Sequence, residues 1–142
     1  MKKLFKIIFS IIIIPTIFFT NELIHSSEKI VVKQLLKTSK GLDGKNISYP
    51  KFKQAQLRLL KVNIPVGLKT PLHTHPAPMI VYVAQGKLKH VSGEIINYFK
   101  EGESFAEANY GREHYVENVG KNTAVIFVAV STTVELPTTI NK

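Results

Sequence analysis

Three histidines carry the chemistry this sequence offers. His73 and His75 stand one residue apart in the stretch Gly67-Leu68-Lys69-Thr70-Pro71-Leu72-His73-Thr74-His75-Pro76-Ala77-Pro78-Met79. Side chains alternate faces along an extended segment, so both imidazoles point the same way. Two imidazoles on one face are half of a transition-metal site. Parity from His73 puts Met79, Val81 and Val83 on that same face, although Pro76 and Pro78 can shift the register. His114, distant in sequence, supplies a third ring and shares parity with Val116 and Asn118. Taken alone, His-x-His is equally a pair of surface imidazoles on a proline-flanked loop. His25 and His90 have no partner pattern, and His90 reads as a strand-face residue rather than a ligand. Alternation points Glu113 outward into solvent.

The elements that must position these rings read as short strands. Gln54 to Ile64 alternates as a half-buried strand does, and Pro65-Val66-Gly67 ends it. Met79 to Ala84 is a β-branched and aromatic run suited to burial on both faces. Lys87 to Val91 and Glu94 to Phe99 form a hairpin around Ser92-Gly93. Ser104 to Ala108, Glu113 to Asn118 and Thr123 to Val130 are further strands, each preceded by a turn cluster. Lys29 to Lys37 fits either a strand or a short helix. Turn signals roughly every ten residues predict an all-β sandwich or jelly-roll barrel, in which antiparallel strands can bring His114 beside the His73–His75 pair.

The chain has 142 residues, no cysteine and a formal net charge of +9. Lys2, Lys3 and Lys6 precede an apolar run from Ile7 to Phe19, broken by Ser10, Pro15 and Thr16. A basic start before such a run reads as a signal peptide over residues 1–20, with an uncleaved anchor as the alternative. The run is shorter than the ~20 residues of a spanning helix, which favours the signal peptide. Its removal takes three lysines and no acid, leaving +6. Residues 21–27 read as a linker, 28–136 as the folded domain and 137–142 as a disordered tail. The expected location is the periplasm or the medium, with the membrane touched only through an uncleaved leader. An exported chain without cysteine folds without disulfides and depends on its core. A charge of +6 with no dense Lys/Arg cluster argues against nucleic acid as a partner.

With those residues in place, the chain resembles the cupin superfamily, a jelly-roll or double-stranded β-helix barrel fold. Gly67, His73, His75 and Gly86 match the first cupin motif at its spacings. Gly102, Gly111, His114 and Asn118 match the second, with Asn109 where proline is usual and one extra residue before it. The segments Gly44 to Pro50 and Phe105-Ala106-Glu107 look like exported single-domain cupins of unassigned role. The resemblance implies His73, His75 and His114 as metal ligands, and a divalent transition metal (Zn, Fe, Mn, Ni or Cu) as the cofactor. The motif's glutamate is replaced by Met79, so the acidic ligand is missing. Met79 is then either a soft fourth ligand or core filler. Glu107 is a candidate replacement: a ligand, a partner holding an imidazole, or a catalytic general base. The alternative is a surface glutamate beside a turn. Cupins of this size often pair, so a homodimer through Lys29–Lys37 or a sheet edge is expected.

The function these readings predict is an exported protein that binds a divalent metal through three histidines, with a small-molecule ligand. One alternative is a small metalloenzyme, dioxygenase- or isomerase-like, with Glu107 as base. Another is a metal-free binding or structural protein of the envelope.

Overall fold

The computed structural model describes residues 30–51 and 54–142. The expected leader 1–20 and linker 21–27 lie outside the described residues. The chain divides between Val32 and Lys33, and the compact unit is 33–142. No helix forms among the described residues. Nine strands do, at β1 Ala55–Ile64, β2 His73–Thr74, β3 Met79–Gln85, β4 Lys87–Ser92, β5 Ile95–Lys100, β6 Ser104–Glu107, β7 Tyr115–Asn118, β8 Ala124–Thr133 and β9 Ile140–Asn141. Seven of these coincide, within a few residues, with the strands expected from alternation and turns. The two that do not are β2 and β9, each of two residues, too short to show any periodicity.

The strands form a four-stranded sheet, β1-β8-β3-β6, a three-stranded sheet, β5-β4-β7, and the β2-β9 pair. All the strand pairs are antiparallel. Inward residues of both larger sheets share one core: Ile64 of β1, Val81 and Val83 of β3, Leu88 of β4, Val116 of β7, and Ile126, Val128 and Val130 of β8. Complete burial of side chains such as Val83 and Leu88 is worth about 1.5–3 kcal/mol each. The antiparallel sheets closing on one core make this the jelly-roll barrel expected. Asn118 joins its ends: its amide donates to Ile64 O and Asn122 O at 2.8 Å each, and its Oδ1 accepts from Gly120 N.

Two segments depart from expectation. Ile30 to Lys37 forms neither strand nor helix, and Ile30, Val31 and Val32 are exposed. Residues 137–142 are not a disordered tail. Ile140–Asn141 pairs with His73–Thr74, Lys142 N donates to Leu72 O, and Arg58 donates from Nη1 to Thr138 Oγ1 and from Nη2 to Leu136 O. Backbone hydrogen bonds and an arginine clamp fix this segment, and neither leaves a mark in local composition.

Residues 39–48 lie against the end of β6. Leu42 N donates to Ala106 O, and Ser48 N donates to Asn109 Oδ1. Gly41 is required here, since a Cβ at that position would come within 2.5 Å of Ala108 N.

Candidate metal centre

His73 and His114 face each other as a backbone pair. His73 N donates to His114 O and His114 N to His73 O, both at 3.0 Å. His75 follows the end of β2, and its carbonyl accepts from Tyr110 N. The strand does not run on to Met79, since residues 75–78 carry no ladder. His73, His75, Ala77, Met79, Val81 and Val83 are all buried, but so are Pro76 and Pro78, so alternation lapses between His75 and Met79. Ring centroids lie 4.4 Å apart for His73–His114, 4.7 Å for His73–His75 and 5.1 Å for His75–His114. One nitrogen from each ring lies within 4.8 Å of the others.

Each ring is oriented by the backbone through Nδ1. His73 meets Pro71 O at 2.7 Å, His75 meets Thr138 O at 2.8 Å, and His114 meets Arg112 O at 3.0 Å. A carbonyl only accepts, so each Nδ1 carries the proton, and in a neutral ring the lone pair lies at Nε2. This tether is the usual way a protein orients a metal-binding imidazole. For His75 the tether comes from residue 138, inside the segment expected to be disordered.

Glu107 is buried at the centre of the cluster, not on the surface. It pairs across the sheet with Met79, the position at which the first motif lacks its glutamate. Its Oε2 lies 2.9 Å from His75 Nε2 and 3.0 Å from His114 Nε2. Its Oε1 lies 3.3 Å from Nε2 of His90. A carboxylate is thus present, delivered from the neighbouring strand. Met79 belongs to the apolar core. Alternation in β4 turns Leu88, His90 and Ser92 inward, so His90 is 3% exposed and faces Glu107. His90 does lie on a strand face, as expected, and that face is the inner one. The signal was there in the Leu88-x-His90-x-Ser92 parity, which needs the identity of the inner face to be used.

Burial alone would push the Glu107 carboxyl up, but contact with His114, His75 and His90 outweighs it and holds the group well below the usual carboxylate range. Burial likewise depresses His114, yet the Glu107 carboxylate beside it raises it overall. His73 has no such partner at close range. Burial lowers it, with the neighbouring His114 and His75 adding to the effect against the pull of Pro71 O.

The donor set fits a cation. Glu107 Oε2 and His114 Nε2 are both buried and make no aligned hydrogen bond despite their 3.0 Å approach. A carboxylate oxygen facing an imidazole lone pair at that distance is repulsive unless a proton or a metal ion lies between them. Imidazoles with one carboxylate suit first-row divalent metals. Two hollows flank the cluster. One, of about 350 Å³, reaches His73, His75 and Glu107 from the barrel interior. The other, of about 20 Å³, touches His75, Glu107 and His114 from the side of Asp43, His90 and Arg112.

No family model matches the chain. No curated protein matches it either. Among solved structures, the Schizosaccharomyces pombe Cnp3 cupin domain is similar at TM-score 0.51 and 17% identity, over 61% of this chain and 60% of that one. The polyketide cyclase RemF from Streptomyces resistomycificus is similar at TM-score 0.52 and 21% identity, over 69% of this chain and 68% of that one. The DMSP lyase DddQ from Ruegeria pomeroyi is similar at TM-score 0.51 and 18% identity, over 61% of this chain but only 43% of that one. The chain therefore has the cupin fold, with a histidine and glutamate cluster of metal-binding type inside its barrel.

Proposed function

We propose that this protein holds one divalent transition-metal ion on His73, His75, His114 and Glu107, and presents it to a small molecule in the adjoining cavity. The observation that carries this reading is the orphaned contact at the centre. Three rings are tethered by Nδ1 to backbone carbonyls, and a buried carboxylate lies 2.9 and 3.0 Å from two of the remaining nitrogens. A divalent ion there supplies Lewis-acid polarisation of an oxygen donor. The protein's own part is to fix the rings, neutralise charge through Glu107 and screen the site from bulk water.

A second reading leaves the ion on the three histidines and gives Glu107 the work of a general base in a small metalloenzyme. The 3.3 Å approach of His90 to its second oxygen supports this. Two of the structural neighbours are named as enzymes, a cyclase and a lyase, but this fold hosts many unrelated functions.

We further propose that residues 1–20 direct export to the periplasm or the medium, and that the chain pairs with a second copy. Exposed Ile30, Val31 and Val32, and separately Leu57, Leu59 and Ile80 on the outer face of the larger sheet, support pairing. Light scattering that returns a monomer removes that part.

Equilibrium dialysis of the full chain against Fe²⁺, Mn²⁺, Ni²⁺ and Zn²⁺ tests the metal reading. About one ion per chain is expected for wild type. In His73→Ala the affinity is expected to fall more than about a hundredfold, beyond the cost of losing an outer partner. No retained ion in wild type leaves the metal-free envelope protein as the surviving reading, and equal retention in the variant takes the ion off His73 and points to the His90, Glu107 and His114 group.

A further inference from the structure

We infer that the ligand of this site is a mainly apolar small molecule with a single polar head, and not a sugar or a polycarboxylate. The inference rests on the metal reading for the head group and on the cavity itself for the remainder.

The cavity of about 350 Å³ is walled by Leu60, Val62, Val81, Phe105, Ile126 and Val128. Its polar groups are few. His73, His75 and Glu107 form one end, Thr138, Thr139 and Asn141 lie on β9 and its approach, and Thr70 lies beside Val116 of β7. The chain carries 19 Lys and Arg residues, yet among the described residues none of them lines this cavity. Arg58 lies on the strand that supplies Leu60 and Val62, but four of the five N–H groups of its guanidinium are engaged elsewhere. Nε donates to Gln56 Oε1, Nη1 to Thr138 Oγ1, and Nη2 to Thr133 O and Leu136 O.

The chemistry of recognition follows. A second charged group, beyond the one held at the proposed ion, would lose its water and find no Lys or Arg side chain among the described residues to replace it, which is costly. A sugar would leave several hydroxyls facing valine, isoleucine and phenylalanine without partners. An apolar body gains from burial at every methylene. The volume falls at the small end of the range for ligand pockets and holds a compact molecule, not a polymer. The one polar head is directed to the histidine and glutamate end, where the proposed ion lies.

The test uses full-length protein loaded with Co²⁺ and a series of straight-chain hydroxamates from acetohydroxamate to octanohydroxamate, read by the change in cobalt absorption. Affinity is expected to rise about fourfold per methylene over the first several carbons. In Leu60→Trp, which fills the wall, the rise is expected to stop at a shorter chain while cobalt stays bound. Glucose 6-phosphate and citrate are expected to bind more weakly than octanohydroxamate. Cobalt retained with no gain along the series, or with either polar compound binding tighter, overturns the inference and leaves the metal reading intact. Failure to retain cobalt overturns the metal reading. The apolar claim is then decided by titrating metal-free protein with 1-alkanols from ethanol to octanol. Tightening with length supports it, and a flat series sinks it.

Discussion

The two hollows on either side of Glu107 are built to opposite specifications. The larger is about 350 Å³ and walled by aliphatic and aromatic side chains. The smaller is about 20 Å³, close to the space of one water, and is lined by Asp43, His90, Ser92 and Arg112 besides the cluster itself. His75 and Glu107 belong to both walls. On the proposed reading, a small molecule would meet the rings from the barrel interior, and the 39–48 side leaves room for little more than a water. A barrel closed by long strands alone would have only the first face. The second exists because β4 turns His90 inward and because Gly41 lets residues 39–48 approach the end of β6.

The largest effect is expected from breaking the shared wall. Glu107→Gln keeps the shape and removes the charge, and metal affinity measured by competition with a chelator should fall about a hundredfold. Met79→Leu, which conserves volume opposite Glu107, should leave metal affinity unchanged and stability within about 1.5 kcal/mol. If the methionine change loses the metal and the glutamate change does not, the thioether is the fourth ligand and the carboxylate is not. Glu107→Gln that keeps the ion but loses turnover on a found substrate supports the general-base reading.

Deleting residues 138–142 opens the large hollow and frees His75, which both hollows share. It removes the carbonyl that holds His75 Nδ1, the strand paired with β2, and part of the cavity cover. Metal affinity should fall about tenfold, as for loss of an outer partner. Affinity equal to wild type would mean that the tail covers the site without orienting it.

The smallest effect is expected from the other side. Both ring nitrogens of His90 are buried without an aligned hydrogen bond, and the ring packs against Phe105 and His114. His90→Phe exchanges two unmade hydrogen bonds for apolar contact, so metal-free protein should gain about 1 kcal/mol, a few degrees in Tm. A drop in Tm would show that the imidazole contributes more through Glu107 than its geometry indicates.

How much of this is legible in the sequence follows from the distances over which the signals act. The hairpin and the long strands are local patterns, and alternation with glycine-rich turns gives them away. His73, His75 and His114 are legible because spacing within a motif is local even when the contact between motifs is not. Glu107 was visible only as a candidate, since its role depends on the register that sets β6 against Met79. His90 was passed over because one inward histidine on an alternating strand resembles any polar residue until the interior is known to hold a carboxylate. The tail was misread because Thr138 acts through its backbone carbonyl, and a carbonyl has no signature in residue type.

X-ray absorption at the edge of the metal bound to wild-type protein tests the central claim most directly. The account predicts a coordination shell of three imidazole nitrogens and at least one oxygen, with no sulfur, and loss of an oxygen in Glu107→Gln. A sulfur in the shell, or fewer than three imidazoles, would contradict it.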